Sequence, residues 1–193
     1  SMSVVGPGEN ALKHWKVARD HQIPTLAKVQ FNNTWEISAV PYIPVPLLIQ
    51  QHMENLLAED VSGLMLSWTL GGYPSPNLEV AKEYYYAPQP SGAEVLEGVA
   101  KRHYGADAAP QVLAAWKQFS TAFLEFPYGV VAGYNIPLQH GPSNPLRLQP
   151  TDYRAGMILF PYDDLKHWLG PYSADTARQQ FEKLAQLWES GLE

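Results

Sequence analysis

The first half of the chain alternates between short apolar runs and longer stretches in which apolar residues recur at helical spacing. Apolar runs at 3–5, 27–31 and 63–67 predict three strands. Helical spacing lies between them, in 9–22 and in the stretch that begins at Pro46, a residue favoured in the first turn of a helix. The order strand, helix, strand, helix, strand favours parallel strands joined by right-handed crossovers.

From residue 87 onward the pattern predicts helices and no further strand. Ser91 and Glu94 have the spacing of a capping box, which marks the start of a helix. Pro110 opens a longer helix, and Ser173 is placed to cap the last one. The segment 129–156 is rich in Gly, Pro and Asn, and segments of this length without regular structure are often functional loops.

Three parallel strands make a thin sheet, because parallel sheets are normally larger and covered on both faces. The spacing of the units fits the last three strand-helix turns of a (β/α)8 barrel. The predicted fold is therefore α/β: a partial (β/α)8-barrel-like parallel unit of about three strands in 1–86, with a helical carboxyl-terminal region in 87–193 packed on it. We expect the remaining strands to belong to sequence outside this chain.

Composition narrows the class of protein and of partner. The 193 residues are 46% hydrophobic and 17% charged, and the net charge is −6 with thirteen scattered Lys and Arg, so we expect a soluble protein that binds no nucleic acid. No apolar run approaches the roughly 20 residues that span a bilayer, so no membrane association is expected. The absence of cysteine excludes disulfides and thiolate catalysis. We favour the cytoplasm over secretion.

Polar and aromatic clusters follow the second and third predicted strands. In parallel α/β proteins, the segments beyond the carboxyl ends of strands build the ligand site. Glu36, which follows the second strand, is the candidate catalytic carboxylate. The residues predicted to bind substrate are Asn32, Asn33, Trp35, Trp68, Tyr73, Asn77 and, in the long loop, His140.

Each of these assignments has a plainer alternative. Glu36 either faces a ligand pocket, as a nucleophile, an acid/base group or an acceptor of hydroxyl bonds, or it is a solvated or loop-bracing carboxylate. Trp35 and Trp68 either stack on a ligand in a shared pocket or pack in the core. The asparagines either bind hydroxyls or serve as turn residues.

No metal or cofactor is predicted. The six histidines show neither a His-Glu-x-x-His helix nor another close metal-ligand grouping. Gly71 and Gly72 permit close approach of a ligand to the backbone, but a phosphate-binding loop needs more glycines and a lysine, which is absent here.

The sequence contains four distinctive runs, at 27–36, 63–77, 125–128 and 160–165. These runs resemble the carboxyl-terminal part of uncharacterised bacterial glycoside-hydrolase-like (β/α)8 barrel proteins, which are distantly similar to the family 20 hexosaminidases. The resemblance implies a carbohydrate ligand. It carries over no catalytic residue, because the Asp-Glu pair of family 20 enzymes lies near the middle of the barrel, a region that this chain lacks.

Two functions compete at this point. The first is the carboxyl-terminal portion of a carbohydrate-active protein, which contributes part of a sugar-binding site and is inactive alone. The second is a non-catalytic binding or self-association module that pairs through an exposed sheet edge. Both predict association, either as a homodimer or with the missing barrel portion.

Overall fold

A computed structural model describes residues 2–32, 34, 36–37, 40–66, 73–86, 88–129, 149, 154–155, 160–161 and 169–193. Within these residues, helices and strands are mixed, in agreement with the predicted α/β class. The helices are α1 (Glu9–Asp20), α2 (Pro46–Ala58), α3 (Pro76–Glu83), α4 (Gly92–Tyr104), α5 (Ala109–Phe123) and α6 (Ala174–Glu189). The strands are β1 (Leu26–Val29), β2 (Gly63–Leu66), β3 (Arg154–Ala155) and β4 (Phe160–Pro161).

Strands β1 and β2 form a parallel pair connected by α2, as the alternation of strands and helices predicts. Leu26 lies opposite Gly63 and Val29 lies opposite Leu66. Along β1 the side chains alternate between exposed and buried, because successive residues of a strand point to opposite faces. Ala27 and Val29 are buried in the core, whereas Leu26 on the other face is 69% exposed.

The predicted strand at 3–5 is wrong, because this segment forms no strand and the sheet of β1 and β2 has two strands among the described residues. The backbone amides of Met2 and Ser3 instead donate to the Glu36 carboxylate. The Asn55 side chain donates to the Gly6 carbonyl at 2.8 Å. Side chains thus satisfy backbone groups that a strand ladder would otherwise use.

The prediction that no strand follows residue 87 is also wrong. Strands β3 and β4 pair antiparallel, with Arg154 opposite Pro161 and Ala155 opposite Phe160. Each strand has only two residues, which is too short to produce a recognisable alternation of apolar and polar positions in the sequence.

The core lies between the covered face of the sheet and the helices. Leu48, Ile49, Met53 and Leu56 of α2 are buried, and α2 packs against α3, α4 and α5. Helix α5 also contacts α4 and α6. The helical carboxyl-terminal region therefore packs on the β/α unit through α2 and through α3, which contacts α4.

The predicted helix caps of the carboxyl-terminal region are confirmed. The Ser91 side chain accepts from the Glu94 backbone N–H while the Glu94 side chain accepts from the Ser91 backbone, which completes the capping box. Gly105 ends α4 with a φ of 86°, a conformation that favours glycine. The Ser173 hydroxyl accepts from the Thr176 N–H at the start of α6.

Candidate functional site

The structure describes four of the residues that the sequence places in a ligand site. They follow β1 and β2 and are Asn32, Glu36, Tyr73 and Asn77. The other four lie outside the described residues and are Asn33, Trp35, Trp68 and His140.

Asn32 joins the segment after β1 to the segment after β2. Its amide nitrogen donates to the Tyr73 carbonyl at 2.5 Å, and its side-chain oxygen accepts from the Ser75 hydroxyl. The Ser75 hydroxyl also accepts from the Leu78 N–H at 3.2 Å and so caps α3. Asn32 and Ser75 are both buried. The pair fixes the start of α3 relative to the end of β1.

Asn77 makes a second link between the same two segments. Its amide nitrogen donates to the carbonyls of Phe31 and Ile43, each at 2.7 Å. The residue has no exposed surface, and its side-chain oxygen is buried without a hydrogen-bond partner. The contacts that the structure shows for Asn32 and Asn77 are therefore internal.

Tyr73 differs from the two asparagines because its side chain is 58% exposed. Its backbone carbonyl, rather than its ring, accepts the bond from Asn32. The Asn32 bond thus fixes the Tyr73 backbone at the carboxyl end of the parallel pair and leaves the ring available to a ligand. Binding of substrate by Tyr73, Asn32 and Asn77 stays a prediction.

The Glu36 carboxylate is buried and is bound by its own chain. It accepts from the backbone amides of Met2 at 2.9 Å and Ser3 at 3.2 Å, and from the hydroxyls of Ser3 and Thr34. A carboxylate offers about four acceptor positions, so these four donors occupy them. The contacts are those of a loop-bracing carboxylate, and a catalytic role for Glu36 stays a prediction.

Sequence reasoning missed Ser3, Thr34 and Ser75 as parts of this network. A signal existed for Ser75, because Ser followed by Pro76 is typical of a helix start. Nothing local indicated that Ser3 would meet Glu36, since 33 residues separate them.

The described segments after β1 and β2 do not supply a catalytic pair of carboxylates. Within residues 31–45 and 73–77, as far as the structure describes them, Glu36 is the single acidic residue. In the same described part of the chain, no group of three or more His, Asp or Glu residues is arranged to hold a metal ion.

A separate cavity of about 1040 Å³ lies beside β1, between the segment 4–9, α1 and α2. Its lining includes Trp15, Lys28, Gln30, His52 and Tyr128, and none of the described residues of 31–37 or 73–77. The cavity is therefore distinct from the network around Glu36 and Asn32.

His52 is the residue of this cavity with a strongly shifted pKa. Burial lowers its pKa from 6.5 to about 4, so the imidazole is neutral near pH 7. Its ring packs edge-to-face on Phe31, with ring centroids 5.5 Å apart. On the other side it faces Gly6, where a Cβ atom would lie 2.8 Å from Nε2, so a larger residue at Gly6 would displace the ring.

An exposed ion-pair network links α3 to α4. Arg102 contacts Glu79 at 3.3 Å and Glu83 at 2.5 Å, and His103 Nε2 lies 2.8 Å from Glu79. Burial opposes ionisation of Glu79, but the hydrogen bonds and charges of His103 and Arg102 together lower its pKa. Exposed ion pairs of this kind contribute little to the free energy of unfolding.

Comparison with known protein families, with curated proteins and with solved structures gives no match to this chain. None of the helices that the structure describes has the length and apolar character needed to cross a lipid bilayer.

Proposed function

We propose that this chain is the carboxyl-terminal portion of a carbohydrate-active, glycoside-hydrolase-like (β/α)8 barrel and that it contributes part of a sugar-binding site. The observation that carries the proposal is the linkage of the segments after two parallel strands. Asn32 bonds to Tyr73 and Ser75, and Asn77 bonds to Phe31 and Ile43. The carboxyl ends of parallel strands are where barrel proteins build their ligand sites.

The open face of the sheet supports the barrel. Leu26 is 69% exposed and Met65 is 56% exposed, and Lys28 and Met65 lie opposite each other on that face. In a closed barrel, inward-facing side chains of the other strands would cover these residues.

Tyr73 is the residue through which the described part of the site would contact a sugar. An exposed aromatic ring can stack on the apolar face of a pyranose and contributes about 1 kcal/mol beyond the area that it buries. A partial site of this kind should bind a neutral mono- or disaccharide with an affinity near millimolar.

Ligand-observed NMR with glucose, N-acetylglucosamine and cellobiose tests the proposal. We expect weak binding by the wild type and about five-fold weaker binding by Tyr73→Ala, which circular dichroism should show to be folded. Tyr85→Ala is the matched control, since Tyr85 is 56% exposed and lies beyond α3, outside these two segments. A wild type that binds none of the three sugars would contradict the proposal.

We also propose that the chain by itself does not hydrolyse glycosides. The described segments contribute a single carboxylate, and glycoside hydrolysis normally uses two. A panel of aryl glycosides should therefore give no turnover. Turnover that survives repurification and is abolished in Glu36→Gln, with circular dichroism showing that the variant is folded, would show that the chain holds a complete catalytic site.

A self-association module is the second candidate, favoured by the same open sheet face. Exposed apolar side chains such as Leu26 and Met65 often mark a surface that another protein covers. A second copy of the chain is the simplest partner, because a twofold dimer buries the same face on both subunits.

A further inference from the structure

We propose that the groove between α2 and α5 binds a primary alkylammonium group, of either a free aliphatic amine or a lysine side chain. The groove has a volume of about 400 Å³, which lies within the range of small-ligand sites. Its described lining comes from α2, from α5 and from Leu124 at the end of α5, and not from the sheet or the segments that follow β1 and β2. The inference is therefore independent of the proposed sugar site.

A buried hydroxyl without a partner lines this groove. Ser120 of α5 is 3% exposed, and its hydroxyl oxygen has no hydrogen-bond partner in the part of the chain that the structure describes. A serine within a helix can bond to the carbonyl four residues earlier, but Ser120 does not make that bond. Because buried polar groups are normally hydrogen-bonded, the Ser120 hydroxyl has unused capacity for a ligand.

The charge of the lining favours a cation. Glu54, which is exposed, is the single charged residue among the described lining residues, and its carboxylate has no ion-pair partner within the described part of the chain. It accepts from the Tyr84 hydroxyl at 3.4 Å, and a carboxylate has further acceptor positions. An ammonium group donates three hydrogen bonds and accepts none, so it complements Glu54 and the lone pairs of Ser120.

The other lining residues favour an alkylammonium over a metal ion. Gln50 and Gln51 add carboxamide oxygens, which can accept from an ammonium group. Leu47 and Leu124 also line the groove, and apolar side chains of this kind can cover an alkyl stem. Ca²⁺ and Mg²⁺ need several oxygen ligands, and no group of three or more His, Asp or Glu among the described residues could hold a metal ion.

Saturation-transfer NMR of the full chain with n-butylammonium at pH 7 tests the proposal. We expect an affinity near millimolar, weaker by about five-fold in Glu54→Gln and by about three-fold in Ser120→Ala. The uncharged analogue 1-butanol should bind more weakly than n-butylammonium. Glu189→Gln is the matched control variant, because it removes the same charge from an exposed position of α6 that does not line the groove. Circular dichroism should show that all variants are folded.

Ser120→Ala also separates a binding role of the hydroxyl from a structural one. Removal of a buried hydroxyl that has no partner should leave the free energy of unfolding in urea unchanged or higher. Weaker binding at undiminished stability is the expected result. A marked loss of stability would show that the hydroxyl is bonded within the fold, and it would overturn the assignment of Ser120 to the site.

Nα-acetyl-L-lysine methylamide distinguishes the two sources of the ammonium group. Binding of this compound as well as n-butylammonium assigns the groove to a lysine side chain, whereas binding of n-butylammonium alone assigns it to a free amine. Equal binding of 1-butanol, or unchanged affinity in Glu54→Gln, would overturn the proposal. An equal loss in Glu189→Gln would also overturn it, because the effect would then come from the overall charge of the chain.

Discussion

At the scale of single residues, Glu36 holds two distant parts of the chain together. The Met2 amide donates to Oε2 of Glu36 and the Ser3 amide to Oε1, so Glu36→Gln, which replaces one of these oxygens by an NH2 group that cannot accept, leaves one of the two amides without its acceptor. Because these donors are buried, we expect the free energy of unfolding to fall by about 2 to 4 kcal/mol in urea denaturation. Glu97→Gln, in an exposed pair with Lys101, should change it by less than about 0.5 kcal/mol. Equal stability of the two variants would show that the Glu36 contacts do not hold the segment.

His52 should make stability depend on pH. Its pKa is about 4 in the folded chain and near 6.5 when unfolded, so between these values the unfolded chain binds the proton and the folded chain does not. The stabilisation is complete above pH 6.5 and is lost as the pH falls toward 4, at a cost of about 2 to 3 kcal/mol.

Denaturation of the wild type and His52→Gln between pH 7 and 4 measures this effect. As the pH falls, the free energy of unfolding should decrease less steeply in His52→Gln than in the wild type. The variant lacks the imidazole, whereas the carboxylates contribute equally to both proteins. His21→Gln is the control, since His21 is exposed at the end of α1 and should keep the wild-type slope. If the free energy of unfolding of His52→Gln has the same slope against pH as that of the wild type, groups other than His52 cause the pH dependence.

At the scale of elements, the link between the ends of β1 and β2 depends on side chains as well as on the strand ladder. Asn77→Ala would leave the buried carbonyls of Phe31 and Ile43 without their donor. We expect a loss of about 2 to 3 kcal/mol in the free energy of unfolding. Asn10→Ala, on the exposed surface of α1, should cost less than about 0.5 kcal/mol. A small loss in both variants would mean that water replaces the Asn77 bonds.

At the scale of the whole molecule, the open face of the β1 and β2 sheet predicts self-association. Sedimentation at micromolar concentration should show a species larger than the 21.6 kDa monomer. The double variant Leu26→Ser and Met65→Ser should be monomeric, because it removes the exposed apolar side chains from that face. Leu192→Ser is the control, since Leu192 is 72% exposed near the chain end. A monomeric wild type would count against self-association and against the argument that another strand or subunit covers this face.

The sequence determined the features that depend on neighbours a few residues apart. Ser91 and Glu94 cap α4 across three residues, and Ser173 caps α6 over the same distance. The apolar runs also located β1 and β2 to within about two residues, because a short apolar run bounded by turn residues is typical of a strand. Hydrogen bonds between near neighbours and short apolar strands can therefore be predicted from the order of residues alone.

Only the tertiary structure decided which polar side chains bond to distant parts of the chain itself. The partners of Glu36, Asn32 and Asn77 lie 33 to 46 residues away along the sequence, apart from Thr34, which is two residues from Glu36. The same distant contacts took the amides of Met2 and Ser3 away from the predicted strand at 3–5. The residue type of a carboxylate or amide does not specify whether it binds a sugar or a backbone group. Its partner depends on which donors and acceptors folding brings within about 3 Å.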